Sequence, residues 1–481
     1  MIATLPALLV LLPILTALVV LLLRGRAALA LALAVLLAMP ALLVPLTAEV
    51  WTGGVVEVAI GGWEAPLGIR WRVDALAVVM LWLNAVVGLG VTLHSVTSFR
   101  IGEVRGSTFW ALWLILVGSI NALFLSADLF NLYVTLELVT LSAVGMITLA
   151  GKPDAMFAAM RYLLLGLLAS LLYLLATGML YGQAGTLDLY QLGDRLQGGP
   201  LAVVAITLLV MGLLLKSAIF PLHVWLPAAH GNAPGPVSAV LSALVVKTTL
   251  YILIRLWFWT GATWELDDAG VVLGALGAAA ILYGSVAAFT QERLKMMVAY
   301  STVAQLGYIM LIFPLASAQG FRGATLQIVS HGVAKAAMFL AAANILRAFG
   351  TDELRRIGNL DRRAPLDLFA FGLAGVSIMG LPPSGGFLAK WLLLTAAWEQ
   401  EGWIWMAVLL VGSLLAAAYV FRVIVLTSFR SGEVEAPGFA APPRTASGAA
   451  LSLALGAIAL GVMGTPFVEF VNMGLPPGVT P

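Results

Sequence analysis

The sequence has no cysteine. That excludes disulfides, thiolate-held iron–sulfur clusters and cysteine-based zinc sites. Charge is scarce as well: Asp, Glu, Lys and Arg make up 10% of the 481 residues, and histidine occurs 4 times. A net charge of +2 gives no ground for a nucleic-acid partner. Neither an ATP-binding motif nor a dinucleotide fingerprint is present. What remains is apolar. Hydrophobic residues make up 62% of the chain and mean hydropathy is +1.04, far outside the range of soluble globular domains.

Apolar runs of about 20 residues recur from end to end, which predicts an all-α polytopic membrane protein. The runs are too long and too unalternating for barrel strands. About 14 spans are expected, at 5–23, 28–48, 74–97, 108–127, 129–150, 159–181, 201–220, 236–259, 270–290, 297–315, 323–347, 366–395, 404–429 and 447–469. The first run has no basic segment before it and carries Arg24 and Arg26 after it, so it reads as an uncleaved helix rather than a signal peptide. "GGVVEVAIGGWEAPLGIRWRVD" alternates and is glycine-punctuated, which predicts a β-hairpin outside the membrane. "TLDLYQLGDRLQ" predicts an amphipathic helix on the surface.

Sorting the 25 Lys and Arg residues by loop places 16 at the odd-numbered loops, among them Arg24, Arg26, Arg100, Arg105, Lys152, Arg293, Arg355, Arg356, Arg362 and Arg363. Five fall on the other side: Arg70, Arg72, Arg195, Arg255 and Arg322. The positive-inside rule then puts the odd loops in the cytoplasm of a bacterial or archaeal cell and both termini outside its cytoplasmic membrane. The remaining four belong to no loop: Lys216, Lys247, Lys335 and Lys390. The chain has only 6 lysines against 19 arginines, yet all four mid-span cations are lysine. Arginine stays protonated under any realistic condition, whereas a desolvated lysine amine can release its proton. The choice of lysine points to a proton that comes and goes.

Glu137 is the only charge in span 5, and His331 and Lys335 share a face of span 11 at i, i+4 spacing. Each charge at the bilayer centre costs on the order of 2.5–3.5 kcal/mol. Five such groups and a histidine are too costly to be incidental. Glu137 and Lys216 form the natural ion pair. Lys247, His331, Lys335 and Lys390 could carry protons onward in the membrane plane, as a relay rather than a catalytic pocket.

Helix breakers accompany the charges. Pro221 is expected to bend span 7 next to Lys216, and Pro382, Pro383, Gly385 and Gly386 to interrupt span 12 near Lys390. Broken helices at membrane depth line cavities or pack inside protein. Spans 4–8 and 9–13 are five helices each, with the broken span fourth in both, and an odd count makes the second set enter from the opposite face. The expected organisation is 1–107 (three helices with the hairpin), 108–260 (first repeat), 261–430 (inverted second repeat) and 431–481 (last helix). His223 and His230 follow the first break and are candidates for a proton entrance. Asp128 reads as the start of span 5, His94 as interfacial and Lys295 as part of a solvated loop.

The stretches "DLFNLYVTLELV", "LLLKSAIFPLHVWLPAAHGNAPGPVSAVLSALVVKTTLYILIR", "QERLKMMVAYSTVAQLGYI", "SHGVAKAAMFL" and "GLPPSGGFLAKWLL" resemble, in order over residues 110–400, the antiporter-like subunits shared by respiratory complex I, membrane-bound hydrogenases and Mrp-type cation/proton antiporters. Length, the missing lateral C-terminal helix and "DLFNLYVTLELVTLSAVGMITLAG" are most similar to the D-type subunit of the Mrp antiporters. The resemblance implies that Glu137 and Lys216 couple the N-terminal half-channel. It makes Lys247, His331 and Lys335 the central relay, and Lys390 the end of the C-terminal half-channel at the next subunit. Some relatives carry a second histidine near the span-11 pair; this helix has only His331, leaving waters or Ser330 to fill in. Other membrane subunits, protons, Na⁺ and lipid are the implied partners, with no cofactor and no catalytic site in this chain. The leading expectation is a proton-translocating subunit of an Mrp-type Na⁺/H⁺ antiporter. The alternatives are the pumping subunit of a redox-driven complex, or the proton channel of an inorganic-carbon-accumulating complex.

Overall fold

The structure is a computed structural model that describes residues 2–23, 26–99, 104–260, 267–428 and 439–479. Arg24 and Arg100, two of the residues that set the expected orientation, lie outside the described residues. The chain is an all-α polytopic membrane protein. Each expected span has a helical counterpart: Leu5–Leu22, Arg26–Gly53, Ala75–Ser98, Val104–Leu125, Leu129–Thr148, Pro153–Ala184, Pro200–Lys216, Gly235–Thr260, Asp267–Thr290, Leu294–Met310, Ala318–Phe349, the pair Pro365–Met379 and Gly385–Glu399, Trp403–Ser428, and the pair Arg444–Val462 and Gly464–Asn472. Among the described residues, 11 of these are single helices long and apolar enough to cross a membrane. Spans 7, 10 and 12 fall short because their helices stop early.

Polar residues mark the helix starts. Asp74, Asp128, Ser317 and Ser384 each accept the backbone N–H three residues on, at 3.0, 2.8, 3.2 and 3.2 Å. Those donors have no partner inside their own helix, and in lipid an unpaired one is costly. Burial pushes the Asp128 carboxyl above the usual carboxylate range, against two backbone N–H groups that stabilise its charge.

Spans 4–8 pack as a ring, each against the next and the eighth back on the fourth, and spans 9–13 repeat that neighbour order. The two five-helix sets are joined by span 11, which touches spans 3, 8, 10, 12 and 14 and is 94% buried over its most apolar window. This central helix carries His331 and Lys335.

Two expectations need correction. Span 7 does not bend at Pro221; its helix ends at Lys216, and Ala218 turns through the left-handed region at φ 55°. In span 12 the break is Gly380–Ser384, while Gly385 and Gly386 open the second half-helix. Gly386 is there for space: a Cβ on it would meet the Ser377 carbonyl oxygen at 1.9 Å.

The expected hairpin is present as β1 (Val56–Ala59) and β2 (Arg70–Val73), paired antiparallel with Val56 opposite Val73. It is latched to the short helix Leu189–Arg195 by Arg70, which holds Asp188 at 2.5 and 2.9 Å. Below it, Arg255 of span 8 grips Asp74 with two bonds of 2.5 and 2.6 Å, both residues buried. Arg255→Ala would leave the buried Asp74 carboxylate only the Ala77 N–H at 3.0 Å and Arg72 at 3.9 Å, at a cost of up to roughly 3–5 kcal/mol. The expected result is a clear loss of folded protein and a lower melting temperature in detergent, with partial recovery in Arg255→Ala/Asp74→Ala.

Candidate functional site

Lys216 is the last residue of its helix, 7% exposed, and its Nζ donates to Glu137 Oε1 at 2.7 Å and Thr140 Oγ1 at 3.0 Å. Ser170 of span 6 donates to the same carboxylate oxygen. The pair joins three spans. A helix C-terminus carries a partial negative charge, so ending the helix at Lys216 steadies the ammonium from a second side.

Lys390 repeats this arrangement by other means. It sits on the second half of span 12 and reaches back across the break to the last carbonyls of the first half, Ile378 at 2.9 Å and Met379 at 3.2 Å. Ser413 Oγ stands at 3.1 Å, and the Tyr308 ring lies 4.3 Å below the amine. Both broken helices therefore present a carbonyl terminus to a lysine.

The central lysines are held without carboxylates. Span 8 contains a five-residue π-helical segment, Leu241–Val245, separated by Val246 alone from Lys247, whose Nζ donates to the Ser242 carbonyl. A π segment displaces the normal backbone ladder and leaves carbonyls turned aside. Lys335 donates to the Val298 carbonyl at 3.1 Å and to Ser301 Oγ. Among the described residues, Lys216 is the one span lysine with an acidic partner. His331 is buried, with neither ring nitrogen bonded to protein.

The sequence marks Ser330 as a candidate bridge; the other groups near this row, Ser377, Gln305, Gln327 and Tyr419, carry no recognisable signal there. Ser330 bonds Ser377 of span 12 at 2.8 Å. Gln327 donates to Gln305 at 2.8 Å, and Gln305 donates at 3.4 Å to the Ile378 carbonyl that also receives Lys390. The buried Tyr419 ring lies beside Gln305 and Ser301. Isolated Gln, Ser and Tyr in apolar runs look like ordinary packing. Only their convergence between Lys335 and Lys390 singles them out.

The other sequence candidates scatter. His223 is mostly buried, stacked on Phe220 at 5.5 Å and edge-on to Tyr283 at 5.0 Å. His230 is fully buried against Phe339 at 4.8 Å, away from the surface, within electrostatic reach of Lys295, Lys335 and Lys247. Lys295 is not in a solvated loop. It is 2% exposed and donates to the Ala233 carbonyl at 2.5 Å. His94 is buried too, its Nε2 2.9 Å from Asn344, which in turn donates to Asp367.

Residues 126–416 match the family described as NADH:quinone oxidoreductase/Mrp antiporter, transmembrane. The chain belongs to this family. It is 38% identical over 371 residues to an NADH-quinone oxidoreductase subunit N of Desulforudis audaxviator, covering 76% of this chain and 74% of that one. A D-type Na⁺/H⁺ antiporter subunit of Bacillus subtilis is 28% identical over 398 residues, covering 82% and 80%. Among solved structures, a chain of the Mrp complex from Dietzia superposes with a TM-score of 0.89 at 25% identity, over 98% of this chain and 97% of that one. A chain of respiratory complex I from Thermus thermophilus gives 0.78 at 25% identity, over 97% and 98%. The family match starts at Ser126 and ends at Ala416, so it contains Glu137, all four span lysines and His331.

Proposed function

We propose that this chain is the proton-translocating membrane subunit of a multi-subunit Mrp-type Na⁺/H⁺ antiporter, working through Glu137, Lys216, Lys247, His331, Lys335 and Lys390. The observation that carries the reading is the paired geometry of the two breaks. Lys216 ends one half-helix and bonds Glu137 at 2.7 Å, while Lys390 caps the carbonyl end of the other. Residues 108–260 then form one half-channel and 261–430 the inverted second. When the Lys216–Glu137 pair opens, the amine loses the partner that holds its charge and releases a proton toward Lys247. From Lys335, water and the Ser301, Gln305 and Tyr419 side chains bridge to Lys390. The D-type Na⁺/H⁺ antiporter subunits among the relatives support the antiporter setting. The superposition does not choose: a chain of a membrane-bound sulfane sulfur reductase, an archaeal respiratory complex, matches as closely as the Mrp-complex chain, both with a TM-score of 0.89.

A second setting, the pumping subunit of a redox-driven complex, is favoured by the 38% identity to a quinone oxidoreductase subunit N. Inverted vesicles carrying the native complex separate the two. The antiporter reading predicts that added Na⁺ discharges an imposed pH gradient, acid inside. Proton uptake driven by an electron donor, with no response to Na⁺, would replace it with the redox reading.

A further inference from the structure

A concavity of about 710 Å³ opens at the end of the molecule that the charge rule assigns to the cytoplasm, between spans 3, 4, 5, 10 and 11 and the loop before span 8. Its wall gathers Arg105, Lys152, Arg293, Lys295 and Arg347 against only Asp352 and Glu353. Glu353 holds Arg356 at 2.8 Å, and Asp352 holds Arg293 at 3.0 Å through Oδ1, its Oδ2 buried without a hydrogen-bond partner. Arg347 turns one nitrogen to the Thr97 carbonyl at 3.2 Å, and Arg105 turns one to the Leu149 carbonyl. Among the described residues, no carboxylate lies in ion-pair range of Arg105, Lys152, Lys295 or Arg347.

The positive-inside rule accounts for cations at this membrane edge, but not for their convergence on one hollow. The lining adds a second, independent observation. His94, 3% exposed, has Nε2 committed to Asn344 at 2.9 Å, while its Nδ1 has no protein partner. Lys295, 2% exposed, lines the same hollow, its amine bonded to the Gly231 and Ala233 carbonyls, with Asp352 near enough to act on its charge but outside ion-pair range. A buried lysine amine beside a rim of guanidinium groups forms a site for a polyvalent oxyanion, and His94 Nδ1, an acceptor because Nε2–H donates to Asn344, suits a hydroxyl donor on the same ligand.

We propose that this vestibule binds a phosphate-bearing anion, the fork of Arg105 and Arg347 and the Lys152 ammonium holding its oxygens. Basic hollows between spans on the cytoplasmic side suit anionic phospholipid headgroups, and free phosphate offers the same chemistry. The excess positive charge also makes the vestibule a poor entrance for Na⁺. The vestibule lies outside the proton relay, and its chemistry is the same whichever complex the chain serves.

Native mass spectrometry of the delipidated whole complex tests it with three probes: phosphatidylglycerol, phosphatidylcholine and inorganic phosphate. One equivalent of phosphatidylglycerol bound in preference to phosphatidylcholine assigns a lipid headgroup. Retention of inorganic phosphate alone assigns a free anion. Either should weaken by about tenfold or more in Arg105→Ala/Arg347→Ala, the scale expected for removing two cations from an anion site. Lys152→Glu, an exposed charge reversal that spares packing, should weaken binding in the same direction. Absence of both probes from the wild-type complex, or equal binding in both variants, overturns the proposal.

Discussion

Lys216→Ala and Glu137→Ala are each expected to reduce ion-coupled proton transport in vesicles to background while the complex still assembles. The effect on activity should be far larger than the effect on folding. Breaking a buried pair costs roughly 3–5 kcal/mol when the orphaned charge is sealed from water. Glu137 is not sealed: its side chain is 18% exposed, and Ser170 still donates to it when the amine is gone. In the reverse variant, Lys216 keeps Thr140 at 3.0 Å and its own helix terminus. Each partner therefore has a fallback, and the scaffold should survive. Transport has none, because no other carboxylate pairs with a span lysine among the described residues. Wild-type transport in either variant would remove the pair from the mechanism.

Lys390→Arg is expected to be as harmful as Lys390→Ala. Arginine keeps the positive charge and five donors, so it can still reach the Ile378 and Met379 carbonyls and stack over Tyr308. What it cannot do is release a proton. If Lys390 served only to cap the broken half of span 12, arginine should restore most of what alanine loses. Equal loss in both variants, with equal amounts of assembled complex, isolates proton release as the missing step. Full activity in the arginine variant would leave Lys390 a structural cap.

The spans were legible because a lipid-facing helix needs about 20 apolar residues, a signal that survives without any alignment. The hairpin and the candidate pair of Glu137 and Lys216 were legible for related reasons, alternation in one case and isolation of charge in the other. The backbone around the lysines was not. A π segment such as Leu241–Val245 has no residue signature. Pro221 suggested a kink, but the helix had already ended at Lys216, five positions earlier. Lys295 stands in the charged run "QERLK" and looks solvated; only the fold brings the Ala233 carbonyl to it. Lys247, Lys335 and Lys390 could be read as titratable cations, but not as cations held by backbone carbonyls, since such acceptors are invisible in a string of letters.

The central claim is that mid-membrane cations in this chain are lysines because their protons must leave. Transport by complexes carrying Lys216→Arg, Lys247→Arg, Lys335→Arg or Lys390→Arg, one at a time and at matched assembly, tests it most directly. The account predicts that every one of the four loses ion-coupled proton translocation with its charge intact. Transport preserved across the arginine series would contradict it.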